Sequence, residues 1–421
     1  MTRREFLKTG AAGALAAAIG SRWAFAEGKR PPNIILVLAD DTGLSRLGCY
    51  GSDQFKTPHL DKLAATGLKF ERCYSMPLCG PTRAVILTGK YPFRTGATDN
   101  SNSVFDRQAH VVFPKLLQQA GYATCAIGKL GQIAKSTDAK APADFGFDEY
   151  MMWIGRGSGD RYWSPEYSKN GTVIKGDAKQ YGPDLTHEFL VDFLNRHREK
   201  PFFVYYSTPL THAPFAMPPG GQGEPVPAMV THLDNLMGQL VAELENQKLR
   251  DNTIILFTTD NGPHGNPLGT IGGKPMIGAK HDLEEGGVRE PLIVNCPGLV
   301  PAGKVCADLT DFTDFYPTFL ELAGAKVPDK LDGQSLAPQL LGKPGRPREW
   351  VYAQVGNGHF IANRQHKLYG DGRFVDISDS PFTEKPVEDA AAREKLATTL
   401  KTLRGDAPAT PAGKEKKGKR K

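Results

Sequence analysis

The sequence has 421 residues, of which 40% are hydrophobic and 23% charged, so a large folded core is expected and global disorder is excluded. The net charge of +6 is concentrated at the ends: residues 1–26 carry +3 and residues 405–421 carry +4, which leaves −1 for the remainder. A near-neutral body argues against nucleic acid as a partner, because a nucleic-acid binder carries its basic patch on the fold itself.

The first 26 residues are typical of a targeting segment. Arg3-Arg4 and Lys8 precede a mild apolar stretch over 9–20, and Ala24-Phe25-Ala26 follows as a small-residue cleavage site. This pattern resembles a twin-arginine signal peptide and predicts export through the Tat translocon to the periplasm or the exterior. The stretch is short and rich in Ala and Gly, so we predict no stable membrane span. The alternative, an uncleaved anchor, is less favoured.

Strand and helix patterns alternate along the rest of the chain. Continuous apolar runs predict buried strands, and periodic apolar positions after Pro58, Pro114 and Asp184 and over 229–244 predict helices. Such alternation favours a three-layer α/β/α sandwich with a mainly parallel sheet. The predicted strands are 33–38, 123–127, 202–206, 253–257 and 292–294.

Composition divides the chain into four segments. The predicted signal peptide covers 1–26, a catalytic domain covers 27–341, a small C-terminal α+β subdomain covers 342–404, and a disordered basic tail covers 405–421. The six cysteines are too widely spaced for a disulfide scaffold or a zinc pattern. Cys296 and Cys306 flank a turn and could pair in an oxidising compartment, which the sequence leaves open.

Polar groups follow each of four predicted strands. Asp40 and Asp41 follow the first strand and Lys129 the second; His212 follows the third, and Asp260 with Asn261 the fourth. Because ligands of open α/β sheets bind beyond the carboxyl ends of the strands, we expect these groups to meet in one crevice. Carboxylate and amide oxygens suit a hard cation, Ca²⁺ or Mg²⁺.

The crevice contains more cations than a metal site needs. Arg83, Lys129 and Lys280, together with His212, predict a tetrahedral anionic substrate, sulfate or phosphate. Cys79 stands just before a helix that contains Pro81, and a helix N-terminus attracts anions through its free N–H groups and dipole. The alternative of a buried structural thiol is less favoured.

These motifs resemble those of a type I sulfatase, the formylglycine-dependent kind within the alkaline phosphatase superfamily. The resemblance covers roughly residues 32–341 and follows the family order. The matching segments are NIILVLADD at 33–41, TPHLD at 57–61, CGPTR at 79–83, LTGKYP at 87–92, TDNG at 259–262, EGGVR at 285–289 and DGQSL at 332–336.

The resemblance implies a hydrolase of sulfate esters and a role for each site residue. A formylglycine-generating enzyme would oxidise Cys79 to formylglycine, whose hydrate attacks sulfur. A single Ca²⁺ ion, or Mg²⁺, would be held beside it, Arg83 and Lys129 would stabilise the formylglycine, and His212 with Lys280 would contact the sulfate and help to protonate the leaving oxygen. The implied metal ligands are Asp40, Asp41, Cys79, Asp260 and Asn261.

One departure from the family pattern concerns the segment after Lys129. The family often has a histidine two residues after this lysine, in Gly-Lys-Trp-His-Leu-Gly, whereas residues 128–133 here are GKLGQI with Gly131 in its place. That histidine assists collapse of the sulfated diol in the family, so the resemblance leaves the final elimination without an assigned base.

The substrate is less well defined by the sequence. Trp153 and Arg156, with Arg161 to Trp163, suit a sulfated sugar, but such aromatics equally pack loops onto a body; His264 and His281 lie close to site residues without an assigned role. The leading hypothesis is a periplasmic sulfatase acting on a sulfated carbohydrate or aryl ester. The alternatives are a phosphodiesterase or phosphonate hydrolase of the same superfamily, or a catalytically decayed protein that binds sulfated glycans.

Overall fold

The computed structural model describes residues 30–130, 138–153 and 160–405. Its strands are β1 Asn33–Ala39, β2 Leu68–Tyr74, β3 Ala123–Lys129, β4 Glu149–Trp153, β5 Glu166–Lys169, β6 Thr172–Lys175, β7 Phe202–Ser207, β8 Thr253–Thr259, β9 Thr270–Ile271, β10 Lys274–Pro275, β11 Arg289–Asn295, β12 Lys304–Asp311, β13 Val351–Val355, β14 Gly358–Ala362, β15 His366–Tyr369, β16 Phe374–Asp376 and β17 Lys385–Pro386. Its α-helices are α1 Pro58–Ala65, α2 Cys79–Thr88, α3 Pro92–Thr95, α4 Phe113–Gln119, α5 Ala141–Asp144, α6 Gly182–His197, α7 Pro225–Asn246, α8 Glu285–Val288, α9 Phe315–Leu322, α10 Ala337–Leu340 and α11 Ala390–Arg404.

A ten-stranded sheet forms the centre of the described chain, in the order β12-β2-β11-β8-β1-β7-β3-β4-β5-β6. The five strands from β8 to β4 are mutually parallel, whereas β11 runs antiparallel to both of its neighbours and β5 and β6 close the other edge antiparallel. The prediction of a mainly parallel α/β sheet is confirmed. Strands β2 and β12 were not predicted, because each contains exposed residues and lacks the continuous apolar run of a central strand.

Strand β1 shows why the fold has three layers. Its seven residues are all buried, and the six apolar ones alternate between two hydrophobic cores, one on each face of the sheet. Ile34, Leu36 and Leu38 pack into one core, and Ile35, Val37 and Ala39 pack into the other. Successive side chains of a strand point to opposite faces, so an uninterrupted apolar run requires helices on both sides.

The observed starts of three helices lie within two residues of those predicted from proline and aspartate positions in the sequence. Helix α1 begins at Pro58 as predicted, and α4 begins at Phe113, one residue before the expected proline. Helix α6 begins at Gly182, two residues before Asp184, so Asp184 lies in its first turn and does not precede the helix. Pro183 in the first turn explains the earlier start, because proline needs no N–H partner there.

The C-terminal part is a smaller unit packed on the same body. Strands β13 to β17 form an antiparallel sheet, and α11, which the sequence did not predict, packs against it through Leu396. Buried Lys367 of β15 joins this sheet to the main domain by donating a hydrogen bond from Nζ to the Leu283 carbonyl at 2.6 Å. The predicted small α+β subdomain is present.

Three sequence predictions concern residues at the ends of the chain or its cysteines. The predicted signal peptide and basic tail lie outside the described residues, except for Gly405. Within the described chain, every helix is too short or too polar to cross a membrane. The six cysteines, Cys296 and Cys306 among them, are free thiols.

Candidate active site

The predicted site residues converge where β1, β3, β7 and β8 end. Asp40 and Asp41 follow β1, Lys129 is the last residue of β3, His212 lies in the loop after β7, and Asp260 follows β8. The register explains the convergence, since β1 pairs in parallel with both β7 and β8, and β3 pairs in parallel with β7. Four strand ends therefore open onto the same edge of the sheet.

Asp41 is held in an unusual backbone conformation. Its φ of 56° lies in the left-handed region, which a residue other than glycine adopts at some cost. The Asp41 N–H donates to Oδ1 of Asp260 at 3.1 Å, and its carbonyl accepts from the Arg46 guanidinium at 3.0 Å. These bonds fix the turn so that both Asp40 and Asp41 are fully buried at the end of β1.

Cys79 is the first residue of α2 and lies against these two carboxylates. Its Sγ is 3.6 Å from Oδ1 of Asp40 and 3.9 Å from Oδ1 of Asp41. Burial, reinforced by the charge of Asp260, raises the pKa of the Cys79 thiol far above its usual range. The unmodified thiol is therefore protonated, and as a plain cysteine this residue is a poor nucleophile.

Two buried cations pair with the carboxylates around Cys79. The Arg83 guanidinium, one turn along α2, lies 2.7 Å from Oδ2 of Asp260 and also bonds Ser207 Oγ and the Lys129 carbonyl. Lys129 Nζ lies 2.5 Å from Oδ2 of Asp40. The two groups form an ion pair, but their geometry is not that of a hydrogen bond. Both cations are fully buried, so they are fixed charges in a medium of low dielectric constant.

Lys280 and His212 approach the same centre from the open side. Lys280 Nζ donates to Oδ2 of Asp41 at 2.7 Å, and His212 Nε2 lies 3.6 Å from that oxygen. Burial and the charge of Lys129 lower the pKa of His212 to about 4, which keeps the imidazole neutral at pH 7. A neutral imidazole and an ammonium group thus face the space in front of Cys79.

The pKa values of the Asp40 and Asp260 carboxyl groups are shifted in opposite directions. Burial alone would raise the pKa of Asp40, but nearby cations, first among them Lys129, hold it well below its usual range. Burial and the negative charge of Asp40 raise the pKa of Asp260 to about 6. Carboxylates crowded in this way repel one another, and a cation bound among them relieves that repulsion.

Unsatisfied oxygen atoms indicate where such a cation fits. Oδ1 of Asn261 is buried without a hydrogen-bond partner, and Oδ2 of Asp40 has its ion pair with Lys129 but no hydrogen bond. Asn261 Nδ2 donates to Oδ1 of Asp41 at 2.8 Å. Ligand atoms of Asp40, Asp41, Cys79 and His212 all lie within 4.8 Å of one another. The carboxylate and amide oxygens fit a hard divalent cation, whereas a thiol and an imidazole are softer ligands. The group contains His212, which the sequence predicted as a substrate contact and not as a ligand, and it does not contain Asp260, which the sequence predicted as a ligand.

Two arginines hold this site together in ways that the sequence did not predict. Arg46 is fully buried, and its guanidinium binds Thr211 Oγ1 at 2.9 Å and the carbonyl groups of His264 and Gly265, so it joins the loops after β1, β7 and β8. Burial lowers its pKa to about 10. In the sequence, Arg46 has no motif that separates it from a surface arginine.

Arg161 was noted only as part of an aromatic segment. Its guanidinium lies 2.8 Å from His212 Nδ1 and 4.8 Å from the ring centroid of Trp153. Tyr162 is fully buried with its hydroxyl on two carbonyls, and Trp163 donates to the Met217 carbonyl at 3.0 Å. The aromatics of this segment therefore pack the loop onto the body, and Arg161 supplies its contact with the site.

The remaining residues noted in the sequence are peripheral or not described. His264 is exposed, and His281 has a φ of 82° with its N–H on the Pro77 carbonyl. Gly131, Gln132 and Arg156 lie outside the described residues.

The sequence is similar to those of known sulfatases. The model of the sulfatase family matches residues 32–325. N-acetylgalactosamine-6-sulfatase of Homo sapiens is 34% identical over 358 residues, which cover 74% of this chain and 66% of that protein. The chain thus spans just under two thirds of the length of that relative.

Two solved structures of carbohydrate complexes have folds similar to that of this chain. Ps i-CgsB in complex with k-i-k-neocarrahexaose superposes with a TM-score of 0.79 and 28% identity, covering 92% of this chain and 96% of that one. BT4656 in complex with its substrate D-glucosamine-2-N,6-O-disulfate gives a TM-score of 0.76 and 25% identity, covering 91% and 100%.

Proposed function

The chain belongs to the sulfatase family of the alkaline phosphatase superfamily, and we propose that it is a hydrolase that cleaves the sulfate ester of a sulfated carbohydrate. One observation carries the proposal: the Cys79 thiol, at the N-terminus of α2, lies within 4 Å of two buried carboxylates, and four cationic or imidazole side chains surround them. A structural cysteine needs neither the carboxylates nor the cations.

In this proposal Cys79 is converted to formylglycine by a formylglycine-generating enzyme. The modified side chain supplies the nucleophile that the buried, protonated thiol cannot supply. Pro81 and Arg83 follow Cys79 at the spacing of the family motif. The position at the start of a helix also provides free N–H groups and a favourable dipole for an anion.

A divalent cation, Ca²⁺ or in its place Mg²⁺, is proposed to bind Asp40, Asp41, Asp260 and Asn261 beside the residue at position 79. When bound, it supplies positive charge that favours ionisation of the nucleophile and binding of the sulfate. The buried oxygens of Asp40 and Asn261 that accept no hydrogen bond support this choice of ligands. Hard oxygen donors favour Ca²⁺ or Mg²⁺ over softer metals.

The protein's own side chains have separate tasks in the proposal. Lys129 and Arg83 are buried and held by carboxylates, so they stabilise negative charge at position 79 without reorganising. Lys280 and His212 lie toward the open side, where they contact the sulfate group and the leaving oxygen. Lys280 carries the proton suited to the leaving oxygen, because His212 is held neutral.

The substrate class rests on the relatives. Their names and bound ligands include N-acetylgalactosamine, a neocarrahexaose and a sulfated glucosamine, all of them carbohydrates. We therefore propose that the substrate of this chain is a sulfated carbohydrate. We also propose, from the twin-arginine pattern of residues 1–26, that the protein is exported to the periplasm or the exterior.

Two measurements test the function. The intact mass of the peptide containing Cys79 should be about 18 Da below that of the unmodified thiol after expression with the maturation enzyme, because the thiol is replaced by a carbonyl group. Turnover of 4-nitrophenyl sulfate should then exceed that of bis(4-nitrophenyl) phosphate. The opposite preference would favour a phosphodiesterase, and an unmodified thiol without turnover of either compound would favour a glycan-binding protein.

A further inference from the structure

A second basic site lies at the other end of α2 from Cys79. The rear groove, as we name it, is lined by Lys90, Arg94, His110, Lys330, Asp332 and Arg404 and has a volume of about 660 Å³. Helix α2 has ten residues, so the groove is separated from Cys79 by roughly 15 Å along the helix axis. A small ester bound at Cys79 therefore does not reach it.

The rear groove has an excess of positive charge. Arg94 pairs with Asp332 at 2.8 Å, and that aspartate also accepts the N–H of Tyr91. Lys90, Lys330 and Arg404 have no carboxylate within 4 Å in the part of the chain that the structure describes. The groove therefore has four cationic side chains around one carboxylate that is already paired.

His110 does not neutralise this charge. Its Nδ1 lies 3.4 Å from Lys90 Nζ, and burial together with the charge of Lys90 lowers the pKa of the imidazole. A neutral histidine beside the ammonium group leaves Lys90 free to bind an external anion. The imidazole also offers a polar edge in the same wall of the groove.

Two of the cations are held in place before any ligand binds. The guanidinium carbons of Arg94 and Arg404 lie 4.7 and 5.0 Å from the centroid of the Phe93 ring. Arg404 also donates to the Tyr352 hydroxyl at 2.6 Å. Because these side chains are already ordered, binding an anion costs less conformational entropy than at flexible surface arginines.

The sequence beyond Arg404 does not supply an anion for the groove. Residues 405–421 contain six Lys or Arg and only two acidic residues. The folded body is otherwise near neutral, so the groove is a local basic feature and not part of a broad basic face of the kind that nucleic-acid binders present. A compact anionic group on an external ligand is the occupant that fits.

We propose that the rear groove binds sulfate groups of a polymeric sulfated glycan, at a position remote from the ester that is cleaved. The glycan class rests on the proposed function, whereas the anion site rests on the groove itself. Such a site retains a polymer at the enzyme surface while the crevice at Cys79 processes one of its esters, and the gain in effective concentration applies only to polymeric substrates.

The test compares two double variants of equal charge. Lys90→Gln with Lys330→Gln removes two cations of the groove, and Lys179→Gln with Lys200→Gln removes two exposed lysines elsewhere as the matched control. Binding to chondroitin 6-sulfate, to desulfated chondroitin and to a DNA duplex is measured by isothermal titration at several salt concentrations. Turnover of 4-nitrophenyl sulfate is measured in parallel.

We expect the groove variant to lose about tenfold in affinity for chondroitin 6-sulfate, and the slope of log affinity against log salt to fall by about one per lysine. The control variant should keep both values, and kcat/KM for 4-nitrophenyl sulfate should be unchanged in both. Equal affinities of the two variants for chondroitin 6-sulfate would overturn the proposal. Equal binding of desulfated chondroitin or of DNA would overturn the assignment to sulfated glycan.

The outcomes keep this proposal separate from the proposed function. Failure of the wild-type protein to turn over 4-nitrophenyl sulfate counts against the sulfatase activity and leaves the binding comparison intact. Normal turnover with no effect of the groove substitutions on glycan binding contradicts the rear groove alone.

Discussion

The active site and a second buried cluster at β12 both place arginine against aspartate, but they differ in how completely their polar atoms are paired. The second, which we call the Arg348 cluster, consists of Tyr91, Asp311, Thr313, Asp314 and Arg348. Arg348 binds Asp314 through Nε at 2.8 Å and through a second nitrogen at 2.5 Å, and it also donates to Thr313 Oγ1 and the Asp332 carbonyl. Every buried side-chain polar atom of this cluster has a partner.

The active site leaves several buried atoms without one. Oδ1 of Asn261 and Nε of Arg83 lack a hydrogen-bond partner, and the ion pair between Lys129 Nζ and Oδ2 of Asp40 does not have hydrogen-bond geometry. An unpaired polar atom in the interior is costly, so a cluster that retains several is organised around a group that completes it. The comparison separates ion pairs that hold the fold from charges arranged for a ligand and a reaction.

The largest expected effect comes from removing the side chain on which the proposed chemistry depends. We expect Cys79→Ala to lower kcat for 4-nitrophenyl sulfate by more than about 10⁴-fold, because a nucleophile is lost and not merely weakened. The melting temperature should stay close to that of the wild type. Cys79→Ser provides a second variant, which should also fail where the maturation enzyme oxidises only cysteine. Activity of Cys79→Ala within tenfold of the wild type would contradict the assignment.

Removing the divalent cation should affect stability as well as turnover. A chelator is expected to abolish activity and to lower the free energy of unfolding by about 4 kcal/mol if the ion is present at a thousandfold its Kd. Calorimetry with and without the chelator measures this effect. The double variant Asp41→Ala with Asp260→Ala is the control, since its melting temperature should no longer respond to chelator or to added Ca²⁺. A wild-type melting temperature that ignores the chelator argues against the metal site.

Arg348→Met tests whether the Arg348 cluster stabilises the fold without taking part in turnover. Breaking a buried ion pair leaves an uncompensated charge and costs about 3–5 kcal/mol, so the variant should unfold at lower denaturant concentration. Its kcat/KM per folded molecule should be unchanged. Arg364→Met is the matched control, because Arg364 pairs with Asp308 at 3.2 Å on the surface, where such a pair contributes under about 1 kcal/mol. A loss of turnover without a loss of stability would make Arg348 part of the active site.

The site residues that the sequence predicted share a simple property. Asp40, Lys129 and Asp260 each end a strongly apolar strand, and the rule that ligands bind at carboxyl ends of parallel strands is enough to bring them together. Cys79 and Arg83 were found through a local motif. In these cases the signal is carried by residues close in sequence.

The residues that the sequence missed act across long separations. Arg46 binds the carbonyl groups of His264 and Gly265, more than 200 positions away, and Arg161 reaches His212 across 51 positions. Nothing local marks such arginines, because their partners are backbone carbonyls or a histidine on another loop. The antiparallel position of β11 was also hidden, since its apolar run matches that of a parallel strand.

The smallest expected effect concerns His187, a buried titratable group in neither ion cluster. Its Nδ1 lies 3.3 Å from the Tyr206 hydroxyl, and Asp184, His232 and Glu243 are the charged neighbours that act on it. Burial lowers the pKa of His187 to about 4, whereas in the unfolded chain it returns to about 6.5. The unfolded state therefore takes up the proton first, and stability is lost as the pH falls from about 6.5 toward 4, by about 3 kcal/mol at most.

We expect His187→Gln to reduce this loss, as measured by denaturant unfolding at pH 7.5, 6 and 4.5, while His264→Gln, at an exposed histidine, leaves it unchanged. If both variants lose stability between these pH values as steeply as the wild type, the acid sensitivity arises from the buried carboxylates and not from His187.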